Sequence, residues 1–196
     1  MLDISEKKEI VSQFIAPFVT LFDDDLEQLC AITDIRSFSR GDTLLAEGQI
    51  ARYICIVTEG MFRNHCKVGG KDCTESFVKE GDVVMPAESL FSQDPSTRLV
   101  TSLLESKCIC ISYERILECS RQNVKIHDLL VEMFKAALML ERSRMDDALI
   151  SSTKARYINF CNKYPEASIS ANVSHIASYL HMAPETLSRL RSSVLL

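Results

Sequence analysis

Nowhere does the chain carry an apolar run approaching the roughly 18 residues that a membrane-crossing helix needs. Its first residues, Met1-Leu2-Asp3-Ile4-Ser5-Glu6-Lys7-Lys8-Glu9, lack the apolar stretch of a secretory leader. These two absences lead to the expectation of a cytoplasmic protein with no membrane partner. Catalytic arrangements are missing as well. There is no Ser-His-Asp or Cys-His constellation and no glycine-rich phosphate loop, and the four histidines, at 65, 127, 175 and 181, are scattered. An enzyme is therefore not expected. The eight cysteines include no Cys-x-x-Cys and no Cys/His pair at zinc-finger spacing, so no metal site is expected. Cys108 and Cys110 share one strand face and read as reduced, half-buried thiols acting as small hydrophobes. An iron–sulfur or thiol redox sensor needs clustered ligands, and spacing along the chain does not supply them.

Glycine is absent from all of the chain beyond residue 81. The six glycines fall at 41, 48, 60, 69, 70 and 81. They separate short runs rich in β-branched and aromatic residues: Thr43–Leu45, Tyr53–Val57, Met61–Cys66, Thr74–Val78 and Val83–Met85. Two further runs follow at Arg98–Leu104 and Lys107–Ser112, and Gly69-Gly70 suits a hairpin turn. Evenly punctuated short strands point to a β-sandwich or barrel. Helices are expected before this block, over Ser5–Val19 and Asp23–Ile32, the second opening on three aspartates that complement the helix dipole. After it, helical periodicity runs from about Tyr113 to the end.

The fold class expected is thus α+β: an N-terminal β-roll or jelly-roll barrel with flanking helices (1–122), a long dimerisation helix (123–150) and a C-terminal helix-turn-helix (151–196). With 196 residues, 46% hydrophobic and 25% charged, the chain can support one to two globular domains. In the long helix, Leu130, Met133, Ala137 and Leu140 step by three and four, flanked by Phe134 and Leu138. That seam suits lengthwise packing on a partner helix in a homodimer, the alternative being packing on the chain's own β domain. Arg144 and Asp147 continue the stepping with charge and would end the seam.

Charge is unevenly placed. Overall it is −5, yet from Ser152 onward five basic residues face two acidic ones, a net of +3 that leaves −8 for residues 1–151. A basic end on an acidic body suits a DNA-binding module. Within that end, Ser174 is placed as the N-cap of a short helix ending near Leu180, with Ile176, Ala177 and Leu180 facing inward. A tight turn at His181–Ala183 follows, and Pro184 occupies the first position of a second helix. Leu187 and Leu190 face inward on that helix, while Glu185, Thr186, Ser188 and Arg189 face outward. Two short helices at a steep angle make the unit that enters a major groove of double-stranded DNA. Arg189 suits a guanine edge and Glu185 a cytosine amine, with Thr186, Ser188 and Arg191 contacting phosphates.

Together these residues resemble the Crp/Fnr family of bacterial transcription regulators from about residue 20 onward. The carriers of the likeness are Phe38-Ser39-Arg40-Gly41-Asp42, Glu47-Gly48, Tyr53–Gly60 and Glu80-Gly81-Asp82, which look like a cyclic-nucleotide-binding-type barrel. At the C-terminal end Ile176–Leu180 and Pro184–Arg189 are similar to the family's recognition unit, and closest to a branch common in Bacteroidetes-like bacteria. The resemblance implies base reading at Glu185 and Arg189. It also implies a small-molecule effector and RNA polymerase as a further contact. At Pro184 better-known members carry arginine. Family cyclic-nucleotide binders use a Gly-Glu pair and then an Arg-Ser pair. Here the corresponding effector-pocket residues are Met85, Glu88, Ser89, Ser96, Thr97 and Arg98, without a glycine and with Pro86 removing an amide. Cyclic AMP is therefore not expected, no cofactor is named, and Arg98 is expected on an exposed strand position. Related regulators continue into a β-hairpin wing, for which Ser192–Leu196 is too short. The competing reading is a small-molecule sensor that acts through protein partners and carries a vestigial helix-turn-helix.

Overall fold

The computed structural model describes residues 3–150 and 152–194, the last two of these without their side chains. Two helices open the chain, α1 (Ile4–Ile15) and α2 (Asp23–Ala31). The first is shorter than expected because Pro17 follows Ala16; proline supplies no N–H and crowds the residue before it. Eight strands then form β1 (Thr33–Phe38), β2 (Thr43–Leu45), β3 (Tyr53–Glu59), β4 (Met61–Val68), β5 (Lys71–Lys79), β6 (Val83–Val84), β7 (Arg98–Ser102) and β8 (Ser106–Ser112). A short helix, α3 (Ala87–Ser92), separates β6 from β7. The all-helical remainder is α4 (Tyr113–Ser120), α5 (Val124–Ala148), α6 (Thr153–Lys163), α7 (Pro165–Ser170), α8 (Val173–Tyr179) and α9 (Pro184–Val194).

The strands lie in two antiparallel four-stranded sheets, ordered β1-β8-β3-β6 and β2-β7-β4-β5. This is the expected jelly-roll-like core. Strand β1 is the one that periodicity misses: Thr33-Asp34-Ile35-Arg36-Ser37-Phe38 carries two charges and pairs only with β8, at the sheet edge. Phe38 meets Phe62 of the other sheet with ring centroids 5.3 Å apart, so the face of β1 that carries Arg36 and Phe38 looks into the roll. The opposite face, with Ile54, Ile56, Ile109 and Ile111 fully buried, is covered by helices.

Helix α5 supplies much of that cover. Asn123 caps it, its side-chain oxygen accepting from the Lys125 and Ile126 amides. Ile126, Leu129, Leu130, Met133 and Ala137 are buried on its inner face. Each large side chain so buried contributes about 1.5–3 kcal/mol. This overturns part of the expected dimer seam. Leu130 and Met133 are spent on the chain's own core and are closed to a partner, while Ala137 borders an open groove.

The turns explain the glycines. Gly69 and Gly70 both take positive φ, +57° and +79°, as a two-residue hairpin between β4 and β5 requires. At Gly60 (φ +79°) a Cβ would stand 2.4 Å from the Glu105 carbonyl oxygen, where backbone has no room to yield. Gly41, also at positive φ, faces open space. Gly60→Ala is expected to cost about 3 kcal/mol or more, and Gly41→Ala about 1–2 kcal/mol, read by chemical denaturation. Equal losses at the two positions would contradict the close approach at Gly60.

Candidate functional site

A pocket of about 240 Å³ opens between β4, β5, β7, α3 and the last two turns of α5. Five of the six expected effector residues line it: Met85, Glu88, Ser89, Ser96 and Arg98. Thr97 stands behind them, its hydroxyl accepting from the Arg98 guanidinium at 2.8 Å. Arg98 does not extend into solvent as expected. Its Nε donates to Glu75 at 3.1 Å and its Nη1 to Glu88. Burial works against its charge, but the two carboxylates outweigh burial and raise its pKa further. Neither serine offers a fully free hydroxyl. Ser89 Oγ accepts from the Ala51 amide at 3.0 Å and donates to the Asp94 carbonyl at 2.6 Å. Ser96 Oγ bridges the amide and carbonyl of Arg98.

Four polar pocket residues escape a reading of the sequence: Asn64, Glu75, Glu141 and Arg144. They come from strands and a helix far apart in the chain, so no local motif joins them. Arg144 is the informative one. It pairs with Glu141 at 2.6 Å and donates to the Glu75 carbonyl at 3.0 Å, tying α5 to β5. The pocket thus holds two guanidiniums against the carboxylates of Glu75, Glu88 and Glu141. An incoming phosphate would have to displace carboxylates from Arg98, at the cost of a paired, partly buried contact.

The second region is the α8–α9 pair. Its short helix begins after Asn172, so Ser174 is a helical residue and not the expected N-cap. Ser174 remains exposed. The α8 C-terminus closes with His181 in the left-handed region (φ +52°). The Met182 amide bonds the Ala177 carbonyl and the His181 amide bonds the Ser178 carbonyl, the reciprocal pair that ends a helix sharply. Pro184 starts α9, as expected. Ile176, Ala177, Leu180 and Leu187 are buried between the helices. Pro184, Glu185, Ser188 and Arg189 stand exposed on one side of α9, with Thr186 partly covered. Arg191 departs from expectation: it turns inward and donates to the Ser168 carbonyl at 2.9 Å, sealing α9 against α7. It is not positioned to contact a phosphate. In the segment expected to be too short for a wing, α9 runs through Val194, and residues 195 and 196 lie outside the described residues.

These helices pack onto the β-roll through β5. Phe77, fully buried, lies 5.3 Å from the rings of Phe160 and Tyr179 and 5.7 Å from Tyr164. Asp147 near the end of α5 accepts from Asn159 (2.8 Å), Lys163 (2.7 Å) and Tyr179 (3.3 Å), which pins α6 and α8. It does not serve merely as a charge that ends the seam. On the hairpin side, Asp72 receives the buried Arg63 guanidinium through two bonds of 2.9 and 3.1 Å. It also faces His65 at 3.0 Å and His175 of α8 at 3.6 Å. Burial is opposed at Asp72 by the Arg63 bonds, and the net effect holds its carboxyl below the usual range. Both imidazoles are pushed down, first by burial and then by Arg63.

The outer face of α5 carries an apolar stripe interrupted by the exposed charges of Glu141 and Arg142. Leu138 is 69% exposed, Met145 63% and Leu149 80%, and Phe91, Phe134, Leu138 and Leu140 line a groove beside it. The open stripe is therefore turned around the helix from the expected seam, keeping Phe134, Leu138 and Leu140 with Ala137 at the groove, and losing Leu130 and Met133. No described helix is long and apolar enough to cross a membrane.

The pKa directions set a sign. Folding lowers the pKa of His65 and His175, so the unfolded chain takes up protons first. Stability from these groups is present above about pH 6.5 and is lost as pH falls through their folded values. The unfolding midpoint is expected to drop between pH 7.5 and 5.5. A His65→Gln, His175→Gln double variant should show a shallower drop. An unchanged slope would remove the two imidazoles from the account.

Comparison with known proteins agrees with this geometry. Residues 35–123 match the cyclic nucleotide-binding domain. No curated protein matches the sequence. Among solved structures, FixK2 from Bradyrhizobium japonicum is 17% identical with a TM-score of 0.68, covering 83% of this chain and 84% of that one. A Crp/Fnr-family putative transcriptional regulator from Eubacterium rectale is 13% identical with a TM-score of 0.68, covering 87% and 82%. A Crp/Fnr-family transcriptional regulator from Thermus thermophilus is 16% identical with a TM-score of 0.64, covering 83% and 86%. Residues 35–123 thus match the cyclic nucleotide-binding domain in sequence, and the chain shares the fold of solved Crp/Fnr-family regulators.

Proposed function

We propose that this chain is a non-enzymatic, cytoplasmic bacterial transcription regulator of the Crp/Fnr type that binds a near-palindromic DNA site as a homodimer. The observation that carries the reading is the exposed side of α9, where Pro184, Glu185, Ser188 and Arg189 stand clear while Leu187 anchors the helix from behind. An amphipathic second helix of this kind, after a sharp turn, can lie in a major groove. Arg191 leaves the set of DNA contacts, being committed to Ser168. The apolar stripe of Leu138, Met145 and Leu149 supports dimerisation through α5, which would set two recognition helices about one helical turn apart.

The effector is a small molecule other than cyclic AMP, taken up beside Arg98 and Arg144. The reason is electrostatic: both guanidiniums already hold acidic partners, and Pro86 contributes no amide to an incoming phosphate. RNA polymerase is the further partner that a regulator of this type requires.

Footprinting and gel shifts over the chain's own upstream region, repeated at rising salt, test the reading. Wild type should bind with affinity that falls steeply with salt. Glu185→Ala and Arg189→Ala should each relax preference at one base pair per half-site, a loss of about 1–3 kcal/mol in discrimination. Absence of any DNA affinity at low ionic strength would overturn the proposal. Sedimentation of Leu138→Glu should show monomers where wild type is dimeric; a monomeric wild type would refute dimerisation through α5.

A further inference from the structure

Spacing along the chain argues against clustered thiols, but folding builds a cluster that no local motif reveals. Cys55 of β3 stands directly opposite Cys110 of β8, and Cys108 lies two residues away on the same face of β8. Directly paired residues of antiparallel strands share a face, so all three sulfurs gather on one side of the sheet. That side is the interior of the roll, because Arg36 pairs with Cys108 and the neighbouring Phe38 touches the opposite sheet. The Cys55 thiol donates to Cys110 at 3.1 Å, and the Cys108 and Cys110 sulfurs are 3.5 Å apart. All three sulfurs lie within 4.8 Å of one another and are buried; they form the one such ligand group among the described residues.

We propose that Cys55, Cys108 and Cys110 form a three-sulfur site for a soft monovalent cation, Cu(I). Donor chemistry selects the ion. The group consists of thiols alone, with no imidazole or carboxylate, and sulfur-only sites favour soft ions. Three donors fall short of the four that closed zinc sites use. Metal–sulfur bonds of about 2.3 Å in a trigonal plane would set the sulfurs about 4 Å apart. The two separations found, 3.1 and 3.5 Å, fall below that value, so the sulfurs must spread to admit the ion.

Charge and access fit as well. Two thiolates, one thiol and Cu(I) carry a net −1; the Arg36 guanidinium, already paired with Asp34 at 3.3 Å, lies within electrostatic reach of Cys110 and offsets that charge in part. Binding therefore forms three copper–sulfur bonds, displaces the ligands the ion arrives with and releases two thiol protons to solvent. No electron is transferred. A cavity of about 510 Å³ at the open end of the roll has Cys55, Arg36 and Tyr53 in its lining, which brings the cluster to an entry path. This cavity adjoins the pocket of Arg98 and Arg144, with Pro86 in the lining of both, but Cys55 and Arg36 line only the first.

The test is an anaerobic titration of the full, reduced chain with Cu(I) held by a chromogenic chelator. One equivalent should transfer to the protein, with near-ultraviolet thiolate-to-copper absorption. Cys55→Ala and Cys110→Ala should each weaken binding about a hundredfold or more, since loss of an outer-sphere partner alone costs 10- to 100-fold. A variant with serine at Cys66, Cys73, Cys119 and Cys161 keeps the cluster intact and should still take one equivalent. Failure of that variant to bind, or survival of the wild-type equivalent in both folded cluster variants, overturns the site. Zn(II) binding the same thiols more tightly than Cu(I), read with a zinc-sensitive dye, overturns the choice of ion.

Discussion

Phe77 holds the molecule together as one body. Its ring is fully buried among Phe160, Tyr164 and Tyr179, so a residue of the β-roll forms the centre of the helical module's core. Aromatic pairs of this geometry add about 0.5–1.5 kcal/mol each beyond the area they bury. The same strand carries Glu75, whose side chain holds Arg98 and whose carbonyl holds Arg144, and Asp72, which faces His175. Strand β5 therefore touches the pocket, the long helix and the first helix of the α8–α9 pair. A ligand that takes Arg98 or Arg144 away from Glu75 acts on the strand on which the helices rest.

Helix α5 shows how one element serves two cores. Its inner face is used by the roll at Ile126, Leu129, Leu130 and Met133, and its outer face is left with Leu138, Met145 and Leu149 uncovered. A 25-residue helix is long enough for both tasks. Its charged end belongs to neither: Arg144 reaches into the pocket and Asp147 clasps α6 and α8.

Local features are legible in the sequence itself. The hairpin at Gly69-Gly70, the start of α9 at Pro184 and the buried set Ile176, Ala177, Leu180 and Leu187 follow from turn chemistry and periodicity. Five of six expected pocket residues follow from the family resemblance, which places them in one short stretch, residues 85–98. What stays hidden depends on which faces meet. A heptad-like seam in α5 has the same spacing whether it meets a partner or its own domain. Arg191 reads as a free surface cation until α7 is placed beside it. Strand β1, polar and at an edge, has no apolar alternation to betray it. The thiol cluster needs the register of β3 against β8, and no count of spacings along the chain contains that.

Differential scanning calorimetry of wild type against Phe77→Ala tests the shared core most directly. The account predicts one cooperative transition for wild type. Removing the ring should cost about 3–5 kcal/mol and split the unfolding into two transitions, the helical module melting first. Two well-separated transitions already in the wild-type protein, unchanged in Phe77→Ala, would contradict it.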